Sequence, residues 1–141
     1  MRKMKNSKGF TLMEMLIVVA IIAVLVAVMI PTMTSALEKS REAADLANTR
    51  SAYAQLLYMG LAEEDPGTTY NTDTVTYERT GNENEYVYKA TVTLTQKQAD
   101  WKTANATTAV AGINATGTPT ANGTATVTYN QATGVVTIVY A

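Results

Sequence analysis

Glu14 is the residue whose placement most needs a reason. It is a carboxylate at the edge of a stretch, Met15 to Leu37, that contains no charged residue. A charge at the centre of a bilayer costs about 2.5–3.5 kcal/mol even on the mildest insertion scale, so a chain that keeps one there usually has a partner for it. The plainer alternative is an acid near a helix end that snorkels to the headgroups. Just ahead of it stands Gly9, whose backbone freedom lets the chain lie extended in a protease cleft. Arg2, Lys3, Lys5 and Lys8 place four positive charges and no acid within the first nine residues. These residue types leave one carboxylate in need of a partner, behind a basic N-terminus. Composition removes other chemistries. The chain has no His and no Cys, which rules out Ser–His and Cys–His nucleophiles and the usual zinc ligand sets. No G-x-x-x-x-G-K-[ST] nucleotide loop occurs.

The element that must position Glu14 is an apolar helix. Phe10 to Ile30 is uncharged apart from Glu14, and a spanning helix needs about 20 mostly apolar residues. The basic residues precede it, so the N-terminus is expected inside and the bulk of the chain outside. An ordinary secretory signal peptide would have a shorter apolar region and a small-residue cleavage site, for which Ser35 and Ala36 are the available residues. The run is long for that, and Glu14 lies inside it. A plain signal anchor accounts for the span and the charges but gives Glu14 no role.

Gly9-Phe10-Thr11-Leu12-Met13-Glu14, followed by such a span, resembles the cleavage signature of type IV pilins and pseudopilins. The resemblance covers residues 1 to about 60. It implies that a membrane peptidase cuts between Gly9 and Phe10, removes the leader of residues 1–9, and N-methylates Phe10. It also implies that Glu14 pairs with the N-terminal amine of an adjacent subunit when the helix leaves the membrane for a filament. Pro31 falls where many members carry a helix-bending proline. The partners implied are identical or related pilin subunits, the prepilin peptidase, an inner-membrane assembly platform and its ATPase. The family's disulfide-bounded C-terminal loop, common in Gram-negative pilins, has no counterpart in a chain without cysteine.

Composition fits one domain carried on one long helix. Cleavage after Gly9 leaves 132 of 141 residues and takes the net charge from −1 to −5. The basic residues are spent on the leader, so direct nucleic-acid binding is not expected. No cofactor is expected. Calcium needs several oxygen ligands with carboxylates among them, and no Asp or Glu follows Asp100.

Residues 10–61 read as one helix, roughly 78 Å long. Its first half is apolar all round, and residues 10–31 form the transmembrane or filament-core part. In its second half Met33, Leu37, Ala44, Ala47, Ala54, Leu57 and Leu61 recur at helical spacing, which predicts an apolar face there. Glu38, Lys39, Arg41, Glu42, Asp45 and Arg50 fall between them, with Glu38–Arg41 a favourable i, i+3 pair. Pro31 lacks an N–H and clashes with the carbonyl of residue 27, which predicts a kink or local melting. Gly60 and Asp65-Pro66-Gly67 are expected to end the helix.

Residues 62–141 read as a globular β-domain. Val75 and Tyr77 alternate with polar residues across 74–79, and Tyr86, Tyr88, Ala90, Val92 and Leu94 share one face of a strand. Residues 124–129 and 135–140 flank Asn130-Gln131-Ala132-Thr133-Gly134, a hairpin with glycine at a positive φ. Gln96–Ala106 reads as a short helix or an edge segment, and 112–123 as a loop. The fold class is α+β, with the apolar face of residues 33–61 covering a small antiparallel sheet. The eight Tyr and Trp101 are read as core and cross-strand packing. Asn105, Asn114 and Asn122 each begin an N-x-T triplet, read as chance in a Thr/Asn-rich chain.

The function expected is that of a structural subunit precursor of a type IV pilus-like surface filament, and not an enzyme. Its place is the cytoplasmic membrane before assembly and the cell surface after it. The alternatives are a pseudopilin of a type II secretion or DNA-uptake system, and a signal-anchored surface binding domain that never polymerises.

Overall fold

Alternation of polar and apolar residues builds four strands, and a long uninterrupted helical pattern builds one helix. The computed structural model describes residues 9–67, 70–103, 106–108 and 110–141. Helix α1 spans Leu12–Ala62, followed by β1 (Val75–Thr80), β2 (Val87–Thr93), a 3-10 turn (Ala106–Thr108), β3 (Thr124–Asn130) and β4 (Val135–Tyr140). The chain forms two compact units, one ending at Ala36 and one running from Leu37 to Ala141.

In the first unit α1 is helical from Leu12 onward and stays helical through Pro31. The hydroxyl of Thr32 donates to the carbonyl of Met29 at 2.8 Å, and that of Thr34 donates to the carbonyl of Pro31 at 3.0 Å. Side-chain donors thus accompany the turn where the proline withholds its own N–H.

In the second unit the sheet has the order β1-β2-β3-β4, antiparallel throughout. The strands lie where alternation placed them. Tyr77, Tyr88, Ala90, Val92, Ala125, Val127, Tyr129, Ile138 and Tyr140 point into one core. The other face carries Thr76, Glu78, Lys89, Thr91, Thr126, Thr128 and Thr137, with Lys89 3.5 Å from Glu78 across the β1–β2 pair. Gly134, at φ 68°, closes the β3–β4 hairpin, its N–H donating to the carbonyl of Asn130.

The helix covers the sheet, but not with the face the apolar pattern indicated. Met33, Leu37, Ala44, Ala47, Ala54 and Leu61 are exposed and Leu57 is half-buried. The buried stripe is Glu38, Glu42, Asp45, Thr49, Ala52, Leu56 and Met59, a strict alternation of four- and three-residue steps. Its lower half is apolar and packs on the sheet. Its upper half is three carboxylates, and each finds backbone donors. A short helix or an edge segment was expected over Gln96–Ala106; residues 95–103 are neither helix nor strand, residues 104 and 105 lie outside the described residues, and Ala106 begins the 3-10 turn. The amides of residues 95–103 need partners. Asp45 accepts the N–H groups of Thr95 and Gln96 at 2.8 and 3.0 Å, plus the Thr95 hydroxyl at 2.8 Å. Glu38 Oε1 accepts those of Lys97 and Gln98 at 2.6 and 2.7 Å, and Arg41 pairs with its Oε2 at 3.0 Å. Glu42 accepts those of Lys102 and Thr103 at 2.7 and 2.9 Å.

The helix end also differs from expectation. Gly60 lies inside α1, and Glu63, at φ 55°, takes the left-handed position after it. The N–H of Glu64 donates to the carbonyl of Met59 at 3.0 Å, the six-to-one bond of a Schellman end. Gly60 is instead a close-approach residue, because a Cβ there would overlap the ring of Tyr129. Gly60→Ala gains up to about 1 kcal/mol of helix propensity but forces Tyr129 out of place, at a typical overpacking cost of about 1–3 kcal/mol. Its expected net effect is destabilising, and a higher midpoint of urea unfolding than wild type would contradict it.

The carboxylates make a second prediction. Asp45→Ala leaves the buried amide of Gln96 without an acceptor, at about 1–3 kcal/mol, and the part-buried amide of Thr95 at less. Lys89→Ala removes only an exposed pair, worth under about 1 kcal/mol. Burial pushes the Glu38 carboxyl up, but the amide of Gln98, the Arg41 guanidinium and the amide of Lys97 outweigh it and hold the group below its ordinary value of 4.5. Its contribution to stability is therefore complete above that value and is lost as pH falls through the lower folded one. Trp101, the single tryptophan, sits in the clamped segment. Its fluorescence in an acid titration should change below about pH 4.5 in the wild type.

Candidate processing and assembly site

The residues singled out at the N-terminus lie at the boundary between extended chain and helix. Gly9 and Phe10 are non-helical and exposed, and Phe10 is 80 % exposed. A Cβ on Gly9 would meet nothing. Thr11 is the residue before α1 and acts as its N-cap. Its N–H donates to Glu14 Oε2 at 2.8 Å, its hydroxyl donates to the same oxygen at 2.9 Å, and the N–H of Glu14 donates back to the Thr11 hydroxyl oxygen at 3.2 Å. The N–H of Met15 reaches the carbonyl of Thr11 at 3.2 Å. This is a capping box, a Thr and a Glu three residues apart that satisfy each other's backbone donors. Thr11 was not singled out from the sequence, although T-x-x-E ahead of an apolar run is its usual signal.

Glu14 therefore has a defined place. Its carboxylate lies on the N–H of the residue that follows Phe10, so an amine created at Phe10 would form one peptide unit away. An acid in the first turn is also favoured by the partial positive charge of the helix start. The leader charges Arg2, Lys3, Lys5 and Lys8 lie outside the described residues. Beyond Glu14 the helix presents Leu16, Ile17, Val18, Val19, Ile21, Ile22, Val24 and Leu25 around its whole circumference, each about half exposed or more. Among the described residues α1 is the one helix long and apolar enough to cross a membrane. A surface so apolar marks contact with lipid or with other helices.

The remaining sequence candidates fall elsewhere. Tyr77, Tyr88, Tyr129 and Tyr140 are core residues, and Trp101 meets Tyr140 edge-to-face at 5.0 Å. On α1 Tyr53 is half-buried and Tyr58 exposed. Asn114 and Asn122 are exposed, Asn122 at φ 54° with its side-chain oxygen on the Lys97 ammonium. Asn105 lies outside the described residues. Among the described residues no group of three His, Cys, Asp or Glu side chains is placed to hold a metal ion.

No curated protein and no solved structure matches the chain. One family model does. Residues 4–30, which hold the glycine, the capped helix start, Glu14 and most of the span, match the prokaryotic N-terminal methylation motif. The chain thus carries at its N-terminus the class III signal-peptide motif of type IV pilins, which indicates a type IV pilin-like precursor.

Proposed function

We propose that this chain is the precursor of a structural subunit of a type IV pilus-like surface filament. Residues 1–9 are the leader, 10–61 the polymerising helix, and 62–141 the domain that faces solvent. The observation that carries the reading is a single carboxylate, Glu14, at the capped start of a helix with no other charge before Glu38, inside the matched motif. Arg2, Lys3, Lys5 and Lys8 hold the leader in the cytoplasm. A prepilin peptidase cuts between Gly9 and Phe10 and methylates Phe10. The membrane stores the cut subunit. A platform and its ATPase then extract it, since the sequence has no nucleotide loop of its own, and identical or related subunits bundle their apolar helices. Pro31 is the point where α1 bends or melts in that bundle.

Lipid solvates an apolar helix and offers nothing to a bare charge. In the helix bundle the α-amine of one Phe10 and the carboxylate of a neighbouring Glu14 answer each other, and either alone would be strongly unfavourable. A pseudopilin of a secretion or DNA-uptake system uses the same helix and the same pair. Genes adjacent to this one separate the two roles.

Two measurements test the proposal. The mature protein should begin at Phe10 with one added methyl by mass spectrometry, and a start near Ser35–Leu37 would indicate an ordinary signal peptide. Expressed as the sole copy, Glu14→Ala should be cut after Gly9 and inserted, yet yield no sheared filaments. Losing one partner of a buried ion pair costs about 3–5 kcal/mol, and the loss recurs at every subunit. Normal filament yield from correctly processed Glu14→Ala would reduce Glu14 to a snorkelling acid. Wild-type protein that remains wholly with the membrane after shearing would favour an anchored, non-polymerising surface domain.

A further inference from the structure

A peptidase needs extended backbone at the bond it cuts, and here the candidate bond lies two residues from a helix. What keeps it out of that helix is visible. Gly9 and Phe10 are non-helical, α1 begins at Leu12, and Thr11 between them is locked to Glu14 by reciprocal bonds of 2.8 and 3.2 Å. We infer that Thr11 is a positioning residue for processing, holding the Gly9–Phe10 peptide outside the helix where the peptidase can reach it. The inference rests on the reading that the chain is cut at that bond.

Where a helix starts is a competition among cap-forming residues. Asn6 and Ser7, just upstream, are also of the preferred cap types. A start at Ser7 would put Gly9 and Phe10 into the first helical turn and take the scissile peptide out of extended geometry. Gly9 opposes that start, because glycine in a helix is disfavoured about fivefold relative to alanine. A good cap at Thr11 opposes it by a similar factor. The surroundings sharpen the choice. Close to lipid an unmet backbone N–H finds little water, so a helix that loses its cap at Thr11 is driven to recruit another one upstream. Glu14 completes the cap by taking the Thr11 N–H, but the Thr11 hydroxyl alone still meets the Glu14 N–H. Thr11 is thus the residue on which the helix start turns, and Glu14→Ala remains a substrate.

The test uses the full-length precursor in detergent micelles with a prepilin peptidase, comparing initial cleavage rates at low substrate concentration. Thr11→Val keeps the shape of the side chain and removes the cap. Thr11→Ser and Thr11→Asn keep a cap with different shapes. Thr11→Val should be cut more slowly than wild type, by up to about thirtyfold, while Ser and Asn stay within about twofold. The 13Cα shift of Phe10 should move toward its helical value in Thr11→Val alone. Three results overturn the inference: Thr11→Val cut at the wild-type rate, Thr11→Val slow with the Phe10 shift unmoved, or Thr11→Asn as slow as Thr11→Val. The last would mean that the peptidase reads the threonine itself. Failure of the wild type to be cut at Gly9–Phe10 would instead overturn the processing reading.

Discussion

A backbone N–H with neither water nor a carbonyl to meet is a cost that a small domain cannot leave standing, and in this chain carboxylates of α1 repeatedly meet it. Six amides of the irregular segment 95–103 end on Glu38, Glu42 and Asp45. The first amide before α1 ends on Glu14. Without the first set, residues 95–103 have no regular ladder to hold them, and the connection from β2 toward β3 lies loose over the helix. Without the second, the start of the apolar helix has one donor fewer satisfied. Charge-assisted bonds of this kind are short and about twice as strong as neutral ones. That strength allows a stripe of acids to occupy positions where apolar residues would ordinarily sit.

The same fact explains what the sequence concealed. The strands were legible because alternation has period two and a slip of one residue would invert it, so Tyr88, Ala90 and Val92 could only face together. The helix was legible as a helix but not in its rotation. Two stripes compete on its second half. Leu37, Ala44, Ala47 and Leu61 read as core by hydrophobicity, and they are exposed. Glu38, Glu42 and Asp45 read as surface by charge, and they are buried. Their phase with Ala52, Leu56 and Met59 was present in the spacing. What was absent was any local sign that residues 95–103 would bring amides to meet them, since that contact spans 50 or more residues. Gly60 misled for a related reason. A glycine near a helix end suggests a stop, whereas this one makes room for a ring on a strand far along the chain.

The N-terminal motif was more legible because everything in it is local. Four basic residues, a glycine, an acid and an apolar run all lie within 30 residues, and the matched motif covers residues 4–30. Thr11 alone went unread there, although its partner is three residues away. The resemblance rests on Phe10 and Glu14 and is silent on Thr11, which stands between them and bonds to Glu14. The C-terminal domain offers no such key. Its residues fix strands and a core, and nothing in them specifies a ligand.

A subunit that polymerises through α1, as proposed, must keep its sheet from polymerising instead. The risk is concrete, since β4 reads Val-Val-Thr-Ile-Val-Tyr and no charged residue follows Lys102. Such an uncharged edge is a template for pairing with another chain. The fold covers it in part. Thr116 lies alongside β4, its N–H on the carbonyl of Ile138 at 2.9 Å and its carbonyl accepting the N–H of Tyr140 at 2.8 Å. At the opposite edge the Asn71 side chain takes the N–H of Tyr77, and the N–H of Thr72 meets the carbonyl of Val75. Through the register Val75–Val92–Ala125–Tyr140 these two straps guard the same end of the sheet. That is also the end at which β2 runs into the clamped segment, so edge protection and the carboxylate clamp are built at one end of the sheet.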